Sequence, residues 1–234
     1  EMAGVAALED AVRRLGAGQS ELMLVGGALN AERRDLLLNL ELGASLLHGG
    51  YRSVWARREV GGGMVPGSIG VFLVLEASGH AADRGAKPYA RIAAVASDRS
   101  ARGPGEAAVA MRSLFEELAP VVDDDRPLAV LSGASGVEPA TSEECQFLQE
   151  LKDALGPTRT YGSRLGHGIE AHFITGVALA ALALSKRSFY PPCDHTESAA
   201  DTGSACRQIL VTSLGHDCGE ALGLVEAVEE RPRG

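Results

Sequence analysis

The stretch from Ala171 to Leu184 is apolar almost throughout, and a helix that is apolar all round has to be buried. Its strongest part, Ile174 to Leu184, is too short for a bilayer, which takes roughly 20 apolar residues. The run opens at Tyr161-Gly-Ser-Arg-Leu-Gly-His167 and halts at Tyr190-Pro-Pro192. A histidine at the mouth of a buried helix is a common way to set an imidazole beside a reaction centre. This chain therefore needs a core deep enough to enclose a whole helix.

The rest of the sequence supplies that core. Val5, Leu8, Val12 and Leu15 recur at a helical period over residues 2–17. Glu21–Val25 is a short apolar run that Gly26-Gly27 should stop, so it reads as a buried strand. A helix follows around Asp35–Leu47, then a turn at Gly61-Gly-Gly63. Gly70–Leu75 and Ala90–Ala96 read as further buried strands. Glu106–Leu118 is an amphipathic helix, and Leu128–Leu131 another buried strand. Glu143–Leu155 is a helix with Phe147, Leu148 and Leu151 inward. After the His167 helix come strands at Gln208–Val211 and Ala221–Glu229, joined by a loop at Gly215–Gly219, and a polar tail from Glu230. Near-continuous apolar strands alternating with helices mean a layered α/β fold.

Charge and cysteine usage exclude several functions. A formal net charge of -9 argues against a nucleic-acid surface, which needs clustered Lys and Arg against phosphates. Cys145, Cys193, Cys206 and Cys218 show no CxxC spacing, so neither a zinc ribbon nor a thioredoxin-like site is expected. His216, Asp217 and Cys218 lie together without regular ligand spacing, and no metal or other cofactor is expected. Asp123–Asp125 reads as a solvated loop. The triple glycine at 61–63 precedes a strand rather than following one, so it reads as a turn and not a phosphate loop. No basic stretch followed by an apolar one opens the chain, and the thiols read as reduced, so a cytoplasmic location is expected.

Five landmarks in order then resemble β-ketoacyl synthases of the thiolase-like superfamily. Ser20–Gly27 looks like that family's strand ending in a glycine pair. Gly62-Gly-Met-Val-Pro-Gly-Ser-Ile-Gly-Val-Phe-Leu-Val-Leu-Glu76 is similar to its G-[FY]-V-x-G-E-G-x-x-x-x-L-E segment, and His80-Ala-Ala-Asp-Arg-Gly-Ala86 to its A-x-x-R-G-A helix end. Gly166-His167 stands at the family's G-H. Val211-Thr-Ser-Leu-Gly215 resembles its N-S-F-G strand end. The resemblance implies a layered αβαβα fold, with residues 1–100 as the remainder of an N-terminal half and 101–234 as a C-terminal half. It also implies fatty-acid or polyketide synthesis.

Condensation in that family needs a cysteine that holds the acyl chain and two histidines that hydrogen-bond the malonyl thioester carbonyl. Counting back from Gly26-Gly27 without a gap puts the cysteine position on Glu1, where Glu1-Met-Ala-Gly-Val-Ala-Ala-Leu8 stands for C-x-x-G-x-x-A-[IL]. A carboxylate is no substitute, because an acyl anhydride is too labile to store the chain. The first histidine belongs to H-G-T-G-T-P. Here Ser132-Gly-Ala-Ser-Gly-Val-Glu-Pro139 puts Gly133 in its place, leaving only a backbone N–H to donate. The family's lysine, five residues before the second histidine, is Gly162. The gate loop F-G-G-T-N becomes His216-Asp-Cys-Gly-Glu220, following Gly215. Glu170 and His172 replace small residues. Only His167 is retained as a catalytic candidate.

This pattern of loss is similar to the chain-length factor of type II polyketide systems, a homologue without the nucleophile that pairs with an active ketosynthase. The resemblance implies a heterodimer with a ketosynthase homologue, and contact with an acyl carrier protein. It begins in the middle of the first thiolase-type half. The missing opening strands and helices are therefore expected from a separate segment or a partner chain, since unpaired central strands expose their edges. The alternative is an active divergent β-ketoacyl-carrier-protein synthase, or a malonyl-carrier-protein decarboxylase using His167.

Overall fold

Helix α1 (Ala3–Gly16) turns Val5, Leu8 and Ala11 inward, and its computed structural model describes residues 2–99, 103–123, 125–197 and 206–228 of the chain. Strand β1 (Leu22–Leu29) follows. It does not stop at Gly26-Gly27 but runs through them, paired antiparallel with β2 (Ile69–Glu76) over its full length. A Cβ on Gly26 would sit 2.3 Å from the Phe72 ring, so the glycine pair makes room across the ladder instead of ending the strand. Both strands alternate in burial. The continuous apolar run had read as a strand buried on both faces. Among the described residues only one face is covered.

Helix α2 (Arg34–Leu42) is shorter than its pattern implied, ending at Gly43. A 3-10 turn at Trp55–Val60 and the short helix α3 (Ser78–Asp83) flank β2. Strand β3 (Arg91–Asp98) crosses to a second sheet. There α4 (Glu106–Leu118), β4 (Leu128–Ser132), α5 (Ala140–Glu150), β5 (Leu155–Thr160), α6 (Gly162–Leu165), α7 (His172–Lys186), β6 (Gln208–Leu214) and β7 (Glu220–Glu226) complete the described elements. The sheet runs β3-β7-β6-β4-β5. β4 is parallel to β5 and β6, whereas β7 is antiparallel to β6 and β3.

Strand β5 is a correction. Its sequence, Leu155-Gly-Pro-Thr-Arg-Thr160, lacks apolar alternation and carries Gly and Pro, and helix had been extended to Leu155. It forms a strand because it lies at the sheet edge, where proline is tolerated and β4 supplies the pairing.

Two apolar clusters place the layers. Helices α4 and α5 cover the outer face of the five-stranded sheet through Met111, Leu114, Leu118, Phe147 and Leu148 against Leu210, Leu222 and Leu224. The inner face, with Leu131, Ile209 and Val211, packs on α7, α1 and the inner side of β1–β2. The segment Ile169–Lys186 is long and apolar enough to cross a membrane by length and composition, but here it is that central layer, with Phe173, Ile174, Val177 and Ala180 buried. The order is helix, sheet, helix, sheet, which is four layers of an αβαβα fold.

Candidate functional site

His167 lies where two backbone segments cross. Its N–H donates to the Val65 carbonyl (2.8 Å), and its own carbonyl accepts from Gly67 (3.0 Å). A Cβ on Gly67 would stand 2.0 Å from the Leu165 carbonyl oxygen, and one on Gly166 2.7 Å from the Gly67 Cα. Gly166 also holds a φ of 72°, in the region that disfavours side chains. The glycines of the two motifs thus make one contact, which fixes the histidine between β2 and α7.

The imidazole is buried, and its Nδ1 accepts from the Ile169 N–H (3.3 Å). With Nδ1 an acceptor, a donor proton on this ring sits on Nε2 whenever the ring is neutral. His172 packs against it at 4.0 Å between ring centroids, and Tyr161 stacks on the other side of His172 at 4.3 Å. His172 Nδ1 accepts from the Gly168 N–H (3.1 Å). Its Nε2 has no hydrogen-bond partner among the described residues. Complete burial pushes its pKa down to about 3, so this ring is neutral near pH 7. Burial, aided by the nearby Glu144 carboxylate, holds the Tyr161 phenol well above its usual range. Its hydroxyl donates to the His172 carbonyl (3.1 Å).

Position 133 is closed. The Gly133 N–H donates to Thr212 Oγ1 (3.1 Å), and a Cβ there would lie 2.4 Å from the Thr212 carbonyl oxygen and 3.0 Å from the Tyr161 hydroxyl. The backbone donor left to Gly133 by the sequence is therefore already engaged. Beneath it, Glu144 accepts from the hydroxyls of Ser132 (2.6 Å) and Thr212. Burial raises its carboxyl pKa, against the pull of those two donors. Gly162 is looser: a Cβ would meet Ala134, Val54 and the His172 ring at 3.4 to 3.7 Å.

Helix α1 brings its start to the same place. The Ala3 N–H donates to Glu170 Oε2 (2.7 Å), and Met2 lies against Gly219 of the Gly215–Gly219 loop. In that loop Gly215 donates to the Gly219 carbonyl (2.9 Å), His216 Nε2 lies 3.2 Å from Asp217, and Cys218 is exposed. Glu1 falls outside the described residues. The start of α1 thus touches Glu170 and the 215–219 loop, while Gly133 and Gly162 neighbour the Tyr161–His172 stack that packs on His167. All four cysteines are free thiols, and no cluster of three metal-ligating side chains occurs among the described residues.

Sequence reasoning missed Arg57, which the run Arg57-Arg58-Glu59 presents as solvated. It is 1 % exposed and donates to the carbonyls of Arg52 (3.0 Å) and Ser135 (3.0 Å), which pins the loop after β4. Charged side chains are almost never so buried, and composition gave no sign of it. The Tyr161–His172 stack was not legible in the sequence, since the two rings lie eleven positions apart across a turn.

No family model matches the sequence, and no curated protein does. Solved structures do match. The ishigamide ketosynthase/chain length factor superposes with a TM-score of 0.79 at 19% identity, over 97% of this chain and 59% of that one. A type II polyketide synthase ketosynthase, solved with its acyl-carrier protein and bound to the hexaketide, gives 0.80 at 19% identity, over 97% and 61%. The ketosynthase from module 6 of the bacillaene synthase of Bacillus subtilis 168 gives 0.82 at 16% identity, over 98% and 45%. This chain therefore spans about half to three-fifths of the length of the structures it matches. The fold is that of the thiolase-like ketosynthases and chain-length factors, built here over part of their length.

Proposed function

We propose that this chain is a ketosynthase-like subunit of polyketide or fatty-acid synthesis that does not itself condense acyl chains. It acts in the cytoplasm as a chain-length factor, paired with an active ketosynthase homologue and visited by an acyl carrier protein. The observation that carries this reading is the closure at Gly133. Condensation calls for two donors on one thioester carbonyl; His167 offers one, and the position of the other has neither a side chain nor a spare N–H. On this reading Glu1 stands where no thioester can be stored, Gly162 replaces the lysine, and Gly215, His216, Asp217 and Cys218 form a closed gate.

A separate polypeptide segment or partner chain belongs to the same proposal. Leu22, Leu24, Phe72 and Val74 form an exposed apolar face that no element among the described residues covers, which supports an interaction surface there.

The test is incubation with malonyl carrier protein, alone and beside a candidate ketosynthase. The expected result is no carbon dioxide release and no acyl mass shift on this chain alone. Release by the isolated chain, lost in His167→Ala, would replace the proposal with a decarboxylase. A covalent acyl adduct would replace it with an active synthase.

A further inference from the structure

The turn that follows His167 holds its backbone under strain. Gly168, Ile169, Glu170 and Ala171 form a single turn, closed by the Ala171 N–H on the Gly168 carbonyl (3.0 Å). Ile169, its second residue, has a φ of 48°. Glycine, asparagine and aspartate dominate that position in turns that need a positive φ, and a β-branched side chain there is an outlier. Such strain persists only where the surroundings over-determine it, and it gathers at functional sites.

Those surroundings are two imidazoles, an apolar cluster and a helix start. The Gly168 N–H donates to His172 Nδ1 (3.1 Å) and the Ile169 N–H to His167 Nδ1 (3.3 Å). One turn therefore gives one amide to each of the two stacked rings. The Ile169 side chain packs on Leu40, Met64 and Val137. Glu170, an exposed residue, reaches across to α1, where its carboxylate accepts from the Ala3 N–H (2.7 Å) and from that of Gly4. Among the described residues α1 has no side-chain cap of its own and no acid in its first turn. The Glu170 carboxylate supplies the negative charge that a helix start favours. A Cβ on Gly4 would stand 2.1 Å from the Glu170 carbonyl oxygen, so turn and helix also meet backbone to backbone.

We infer that Glu170 is the positioning residue for both imidazoles, a clasp whose seat on α1 holds Ile169 in its left-handed conformation. The strained turn then keeps Nδ1 of each ring an acceptor, which leaves the proton of each neutral ring on Nε2. Without the clasp, Ile169 relaxes to a negative φ and its N–H swings off His167. The inference stands on the geometry of the turn, and holds whether or not this chain condenses acyl units.

Nitrogen NMR of the imidazoles, at mildly alkaline pH where a free histidine is neutral, reads the tautomers directly. In the wild type His167 and His172 are both expected with the proton on Nε2. Glu170→Ala should lower the ratio of Nε2–H to Nδ1–H at His167 about tenfold, with His172 moving the same way. Glu170→Gln keeps an acceptor but not its charge, and should lower the ratio about threefold. Ile169→Gly added to Glu170→Ala should restore the wild-type ratio, because glycine holds a positive φ without strain. Unchanged circular dichroism would establish that the variants fold. A carboxylate that only caps α1 would cost stability when removed and leave both tautomers as they were. That result in either Glu170 variant would overturn the inference. So would a wild-type proton on Nδ1 of either ring, or a loss that Ile169→Gly fails to restore.

Discussion

Two parts of the chain share one arrangement and differ in how their outer faces are covered. Helix α1 followed by the antiparallel pair β1–β2 has its counterpart in α7 followed by the antiparallel pair β6–β7. Both pairs turn one face toward the central helices. The outer face of β6–β7 carries Leu210, Leu222 and Leu224 beneath α4 and α5, and each is 0 % exposed. The outer face of β1–β2 carries Leu22, Leu24, Phe72 and Val74, at 47 to 65 % exposed. The two faces have the same kind of side chain and differ in their cover. Apolarity in a strand therefore does not by itself tell a covered face from an open one. Covering the exposed half of each of those four side chains would contribute roughly 1 kcal/mol.

The largest effects should come from charge placed on each face. Leu222→Asp buries an unpaired carboxylate in the second core and should cost more than about 4 kcal/mol, enough to unfold the isolated chain. Phe72→Asp on the exposed face should change stability by no more than about 0.5 kcal/mol. It should also convert a self-associating wild type to monomer in sedimentation velocity. A wild type that is monomeric and as soluble as Phe72→Asp would break the comparison, because the β1–β2 face would then need no cover.

Next in size is an acid transition set by His172. Its folded pKa of about 3 lies below the ordinary 6.5, so the folded state binds fewer protons than the unfolded one. Its contribution is complete above pH 6.5 and is lost as the pH falls toward 3, at about 1.4 kcal/mol per unit. Urea midpoints should fall over that window, and His172→Gln should flatten the fall while keeping an acceptor for the Gly168 amide. Glu144 works in the opposite sense. Its raised pKa favours the folded state below the ordinary 4.5, and that help is lost as pH rises through the folded value. Glu144→Gln should therefore lose less stability than the wild type on going from pH 4 upward. Equal slopes in all three proteins would remove both assignments.

What the sequence disclosed follows the same division. Periodicity located α4 to the residue, because an amphipathic helix over one sheet face leaves a clear repeat in Ala107, Met111, Leu114 and Leu118. Motif order marked the segments of Gly67 and Gly166-His167 as landmarks, but their meeting was not legible, because the crossing joins backbone 99 residues apart. Strand β5 was illegible, since an edge strand held by its neighbour needs no pattern of its own. Arg57 was illegible for a related reason: its partners are backbone carbonyls of distant segments, which leave no trace in side-chain composition. The half-covered state of β1–β2 was hidden too, because an exposed apolar face and a buried one are spelled alike.

The smallest effects test the closed site itself, by setting its two substituted glycines against each other. At position 133 the first side-chain atom meets backbone, the Thr212 carbonyl oxygen at 2.4 Å, and backbone in a central strand cannot move aside without breaking the β4–β6 pairing. Gly133→Ala should therefore destabilise by about 2–3 kcal/mol, and Gly133→His should restore no malonyl decarboxylation. At position 162 the neighbours stand at 3.4 Å or more, and the residue opens helix α6, where alanine is intrinsically preferred to glycine by up to about 1 kcal/mol. Gly162→Ala should then be neutral or slightly stabilising, since those contacts are at ordinary van der Waals distance. Chemical denaturation of the two variants decides the matter. If Gly133→Ala is tolerated as well as Gly162→Ala, then position 133 has room for a side chain, and the argument that this chain lacks the second donor for structural reasons fails.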